Sequence, residues 1–125
     1  MIFDTDVLIW FLRGNEKAIE TVIDEIPFSV SAVTYMELLK GVRNKRELTQ
    51  LKKSFKKMDV QVISINENIS NMAVSFVEKY TLGHSVEFAD ALIAATCIEK
   101  GEMLFTANDK HYKAIDGLDL KVFRP

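Results

Sequence analysis

A chain of 125 residues, 48% of them hydrophobic, can bury one ordinary globular core and has too little material for two. Its formal net charge of -2 argues neither for nor against a polyanionic partner, so any electrostatic footprint must come from where the charges sit. The single Cys97 excludes an internal disulfide. Asp4 and Asp6 stand where a secretory leader would be basic, and no run approaches the ~20 apolar residues that cross a bilayer; a soluble cytoplasmic protein without a membrane segment is expected.

The first β-type run is Ile2–Phe3, so close to Met1 that the chain is expected to be one complete minimal domain, residues 1–125. Asp4-Thr5-Asp6 follows, then an apolar stretch from Val7 to Leu12 ended by Arg13 and Gly14. Phe28–Ser31 reads as the second strand. The apolar helix that begins there carries Glu37 about a turn and a half in. In the next helical pattern Leu48, Leu51, Phe55 and Met58 form an apolar stripe, with Lys52, Lys53, Lys56 and Lys57 off it. Val60–Ile65 is the third strand. Asn66 is placed to cap a helix whose stripe is Ile69, Met72, Ala73, Phe76, Val77 and Tyr80. The run Phe88 to Ile98 is apolar except for Asp90 and is expected to be a buried helix, stopped by Gly101. Met103–Thr106 is the fourth strand, followed by Asn108 and Asp109, and Leu120–Phe123 is the fifth. Strands alternating with helices define an α/β fold: a single domain with a mostly parallel five-stranded sheet covered by helices on both faces.

A carboxylate inside an apolar helix needs a partner, because an unpaired buried polar group costs roughly 2–7 kcal/mol and a lone charge more. Asp90 therefore requires a donor network, a cation or a metal ion. Asp4 ends the first strand, at the edge where open α/β sheets bind ligands. Glu37 repeats the logic of Asp90 after the second strand, and Asn108 with Asp109 follows the fourth. Taken singly, each acid can be a cap or a solvated charge, and for Asp109 that plain explanation is the better one. Taken together, several carboxylates converging on one edge cannot all stay ionised in a dry pocket without cations. Oxygen donors alone suit Mg²⁺ or Mn²⁺; His84, His111 and Cys97 are too isolated for a zinc site. Such a centre is suited to metal-assisted attack of water on a phosphodiester.

Asp4-Thr5-Asp6-Val7-Leu8, Ser31-Ala32-Val33-Thr34 through Glu37-Leu38-Leu39-Lys40-Gly41, Asp90-Ala91-Leu92-Ile93-Ala94-Ala95-Thr96 and Thr106-Ala107-Asn108 resemble, in order, the motifs of PIN-domain ribonucleases, and among them the VapC toxins of prokaryotic toxin–antitoxin pairs. The resemblance implies a PIN-like fold and an endoribonuclease dependent on Mg²⁺ or Mn²⁺. Its acidic quartet falls on Asp4, Glu37, Asp90 and the Asn108–Asp109 pair. Asp4 and Asp90 are the implied metal ligands, with Thr5, Asp6, Thr34 and Thr106 holding them in place. The family pattern tolerates Asn where this chain has Asp6, which favours a supporting role there. It carries an acid where this chain has Asn108, so one metal or two stays open. RNA as substrate, a VapB-like antitoxin as partner and a homodimer are further implications.

Eight of the 16 basic residues lie between Lys40 and Lys57 against one acid, Glu47. Lys45, Arg46, Lys52, Lys53 and Lys56 are candidates for contacting RNA phosphates, although lysines on the wet side of an amphipathic helix are usually a solvated face. Trp10, Phe11, Tyr35 and Met36 are expected in the core, or in part exposed where an antitoxin sits. Two other functions compete. Asp4-Thr5-Asp6 also resembles the nucleophile strand of haloacid-dehalogenase-type phosphohydrolases, against which Leu8 counts. Asn108 leaves room for a catalytically silent binding module of the same fold.

Overall fold

Alternation along two short strands divides the interior into two apolar layers. Ile2 joins one layer with Ile69, Ile93, Leu104 and Tyr112, whereas Phe3 joins the other with Val7, Val22, Val30, Phe55 and Phe105. Successive side chains on a strand face opposite sides, so a central strand buried on both faces reads apolar without a break. In the computed structural model, which describes residues 1–125, the elements in chain order are β1 (Ile2–Phe3), α1 (Thr5–Leu12), α2 (Glu16–Asp24), β2 (Ser29–Ser31), α3 (Ala32–Lys40), α4 (Lys45–Lys57), β3 (Gln61–Ile63), α5 (Glu67–Tyr80), α6 (Phe88–Lys100), β4 (Leu104–Thr106), α7 (Asp109–Tyr112) and β5 (Leu120–Val122).

The five strands form one parallel sheet in the order β3-β2-β1-β4-β5, with Ile2 opposite Ser29 on one side and Leu104 on the other. Helices α5, α6 and α7 cover one face; α1, α2 and α4 cover the other. The expected α/β architecture is therefore present, with helices on both sides of the sheet. Asn15, Asn44 and Asn66 each cap a helix through the side-chain oxygen, and Gly101 ends α6 in the left-handed conformation that a glycine adopts without strain.

Three expectations change. The runs Phe28–Ser31, Val60–Ile65, Met103–Thr106 and Leu120–Phe123 all contract to three-residue strands, with β3 and β5 as edge strands that pair only with the three residues of β2 and of β4. Asp90 does not lie deep in a buried helix: α6 starts at Phe88, itself 74% exposed, and Asp90 is in the first turn with a side chain 16% exposed. Trp10 and Met36 are surface residues at 37% and 53% exposure, while Phe11 and Tyr35 pack partly buried against the second layer.

β1 is central, and the chain leaves it toward β2 on one side while β4 lies on the other. The gap between β1 and β4 at their carboxyl ends is thus a topological switch point, where such sheets form crevices. Phe105 holds this seam from below, stacked at 5.5 Å on Phe3 and set edge-on to Phe123 at 6.0 Å. Phe105→Ala should cost about 3–5 kcal/mol, measured by urea unfolding; a loss below 1 kcal/mol would show that the aromatic stack does not support the seam.

Candidate active site

Asp4 follows β1 directly and opens α1, so the end of the strand and the start of the helix place it at the switch point. It is nearly buried, and both carboxylate oxygens are engaged: Oδ1 accepts from the Thr5 N–H at 2.8 Å and Oδ2 from Thr106 Oγ1 at 2.8 Å. Thr106 closes β4 next door and also accepts from the Asn108 N–H at 2.9 Å. Burial first, and the neighbouring Asp6 second, push the Asp4 carboxyl up to about 7. Asp6 is raised as well, chiefly by burial. Its oxygens accept from the Val7 N–H at 2.7 Å and, across the crevice, from the Ala107 N–H at 3.1 Å.

The second contribution comes from α3. Thr5 Oγ1 stands 3.1 Å from Oγ1 of the fully buried Thr34 and 2.6 Å from Glu37 Oε1. A hydroxyl has one proton, and the shorter, charge-assisted contact takes it. Thr34 then donates to Thr5, and the pair orients one oxygen of Glu37. Glu37 itself is exposed on the rim rather than buried as its setting in an apolar helix had implied.

Asp90 enters from the first turn of α6. Its Oδ2 accepts from the Glu87 N–H at 3.1 Å, which makes it part of the helix start. The same carboxylate faces the site: Tyr112 Oη lies 3.4 Å from Oδ1 and His111 Nδ1 3.5 Å from Oδ2. Burial raises the Asp90 carboxyl, and the backbone bond and His111 oppose the rise. Tyr112 is buried, and its phenol is driven far upward by burial and then by the charges of Asp4 and Asp90. It therefore stays a neutral donor set among the acids, close enough to Asp4 to offset part of that group's rise. Neither Tyr112 nor a role for His111 is legible in the sequence. The available signal is the step Asp109 to Tyr112, one helical turn past the end of β4.

The fourth position divides. Asn108 is exposed, and its side chain makes no hydrogen bond; its backbone N–H serves Thr106. Asp109 turns to Arg124 Nη2 at 2.8 Å instead of joining the other acids, and that contact lowers its carboxyl. The structure thus brings Asp4, Asp6, Asp90, Thr5, Thr34, Thr106 and Glu37 to one edge, and sets Asp109 beside it in an ion pair. Lys45, Arg46, Lys52, Lys53 and Lys56 are all exposed on α4. Of these only Lys53 lines the groove of about 940 Å³ between α1, α3 and α4, where it joins Arg13, Arg43, Lys57 and Glu37. Cys97 is buried with its thiol pushed up to about 12, which excludes thiolate chemistry.

The acids offer oxygen donors only, and no three carboxylate, histidine or cysteine side chains form a ready-made metal cage. That arrangement fits Mg²⁺, which keeps several waters and is held by one or two carboxylates, better than zinc or calcium. A buried carboxylate beside a like charge is also the group that most gains from a cation. Because Asp4, Asp6 and Asp90 are raised above their ordinary values, the folded chain holds more protons than the unfolded chain between about pH 5 and pH 7. Stability in the presence of a chelator should therefore fall as pH rises from 5 to 8, and Asp4→Asn should flatten the fall. Urea denaturation across that range checks both; stability that climbs with pH would contradict the burial assigned to these acids.

Comparison with known proteins places this geometry. The chain is 27% identical over 127 residues to ribonuclease VapC1 of Methanocaldococcus jannaschii, covering 98% of this chain and 86% of that protein. A toxin–antitoxin complex from Klebsiella pneumoniae contains a chain of similar structure, with a TM-score of 0.74 and 25% identity over 94% of this chain and 93% of that one. VapBC-1 from nontypeable Haemophilus influenzae superposes with a TM-score of 0.81 at 22% identity, over 98% of each chain, a likeness of fold. The model of the PIN domain family matches residues 1–118. With its parallel sheet and its carboxylates gathered at the switch point, this chain belongs to the PIN domain family.

Proposed function

We propose that this chain is an RNA-cleaving hydrolase, an endoribonuclease dependent on Mg²⁺ or Mn²⁺, and the toxin of a toxin–antitoxin pair restrained by a VapB-like antitoxin. The observation that carries the proposal is the setting of Asp4: a nearly buried carboxyl raised to about 7, two residues from Asp6, with Tyr112 between it and Asp90. Similarity to a ribonuclease over nearly the whole chain supports the choice of substrate.

Asp4 and Asp90 would hold the cation. Bound there, it would supply an activated water and stabilise the leaving oxygen of a phosphodiester. The chain's own groups prepare that seat. Thr106 and the Thr5 N–H fix the two oxygens of Asp4, and the Ala107 N–H fixes Asp6. Tyr112 stands beside both Asp4 and Asp90, a neutral phenol whose single proton reaches Asp90 Oδ1 at 3.4 Å and is close enough to Asp4 to favour its charged form. The Thr5 contact occupies one oxygen of Glu37 and leaves the other to accept from a water at the rim. Asn108 stands exposed at the edge of the cluster, positioned to donate its amide to a phosphate rather than to hold a metal. The exposed cations Lys45, Arg46, Lys52, Lys53 and Lys56 supply backbone attraction along α4. Trp10 and Met36 are proposed as part of the surface that the antitoxin covers.

The phosphohydrolase alternative gives way to membership of the PIN domain family. Between enzyme and silent module, Asp90→Asn decides. It removes a charge at nearly constant volume and keeps an acceptor for the Glu87 N–H. RNA cleavage with Mg²⁺ or Mn²⁺ should fall by at least ~100-fold, with an unchanged circular-dichroism spectrum and a Tm in chelator equal to or above that of the parent. Full activity in the variant would overturn the assignment of Asp90, and a marked fall in Tm would reduce it to a helix cap.

A further inference from the structure

We propose that Arg124 is a positioning residue for Asp4, acting through a relay of hydrogen bonds across the turn after β4. Its guanidinium Nη1 donates to the Ala107 carbonyl at 3.0 Å, and Nη2 donates to Asp109 Oδ1 at 2.8 Å. That carbonyl and the Asn108 N–H belong to one planar peptide unit and point in opposite directions, so fixing the oxygen fixes the N–H. The Asn108 N–H donates to Thr106 Oγ1 at 2.9 Å, and Thr106 Oγ1 donates its own proton to Asp4 Oδ2 at 2.8 Å. The relay therefore runs from Arg124 through the Ala107–Asn108 peptide and the Thr106 hydroxyl to Asp4. With a lone pair of Thr106 committed to Asn108, its proton has a fixed direction. A cation at the head of such a chain polarises every bond after it.

Placement of Arg124 follows from the sheet. The Phe123 N–H donates to the Thr106 carbonyl at 2.8 Å, which ties the end of β5 beside the end of β4 and brings Arg124 over the turn. Asp109, one residue beyond Asn108, gives the guanidinium its second anchor. The Arg124 side chain is 60% exposed, and exposed ion pairs add little to stability. Its effect is orientation. The fork of an arginine grips the carbonyl and the carboxylate at once, which the single ammonium of a lysine does not.

The activity part of the test rests on the ribonuclease proposal; the exchange and metal parts do not. Arg124→Gln, Arg124→Lys and Asp109→Asn are compared with the parent in the full chain by amide hydrogen exchange, by Mn²⁺ titration and by steady-state RNA cleavage. In Arg124→Gln the Asn108 and Ala107 amides should exchange about tenfold faster, with Leu104 and Phe105 unchanged. Mn²⁺ affinity and kcat should each fall about tenfold, and KM should hold. Arg124→Lys should fall between the parent and Arg124→Gln, as should Asp109→Asn, which keeps an acceptor but removes the charge of one of the two anchors. Unchanged exchange at Asn108, or faster exchange with unaltered Mn²⁺ affinity and kcat, would overturn the relay. A rise in KM alone would also overturn it, by assigning Arg124 to RNA contact. A parent protein that cleaves no RNA would sink the ribonuclease proposal, while exchange and Mn²⁺ affinity would still decide the relay.

Discussion

A carboxyl group almost removed from water at the end of the central strand, with a second acid two residues on, is the constraint around which this domain is built. Asp4 is 5% exposed, and its environment favours the neutral form. Burial of this kind works against stability unless donors or cations compensate. The fold supplies two donors from different places: the first N–H of α1, and a threonine hydroxyl from β4 that arrives more than a hundred residues later in the chain. Only the strand order that sets β1 beside β4 brings the second donor to it.

The surrounding groups share this pattern. Asp6 is satisfied by a backbone N–H from the same turn after β4, and Glu37 is oriented through Thr5 by a hydroxyl that is wholly buried in α3. Asp90 serves two purposes, starting α6 and facing the crevice. No buried side-chain polar atom lacks a partner. The cluster is therefore satisfied in hydrogen bonds and unsatisfied in charge. That combination is what the proposed cation seat requires: donors hold the carboxylates in place, and their charge is left for a cation to neutralise.

Much of the scaffold is legible in the sequence because its signals are periodic or local. The stripes of α4 and α5 predict their buried faces, Asn66 and Gly101 mark helix ends, and the apolar runs mark the strands, of which β1 and β4 are buried throughout. Asp90 is misread as deeply buried because composition averages over a run and cannot see that Phe88 and Ala89 begin the helix at the surface. For Trp10 and Met36 the structure selects the exposed alternative over the core, since residue type predicts burial only on average. Tyr112, His111 and Arg124 carry no periodic signal. Their contribution depends on which strand neighbours which, a long-range fact that no local pattern encodes. The division between Asn108 and Asp109 is of the same kind: adjacent in sequence, they turn to different partners, and only the position of Arg124 explains why.

The most direct measurement is the melting temperature at pH 8 as Mn²⁺ is added, for the parent chain and for Asp4→Asn. If the acids gathered at the switch point form a seat for a divalent cation, binding to the folded state alone must raise stability by mass action. The parent Tm should climb steadily with Mn²⁺ concentration, and that of Asp4→Asn should stay flat. A parent Tm that does not respond, or a variant that responds equally, would contradict a metal centre built on Asp4.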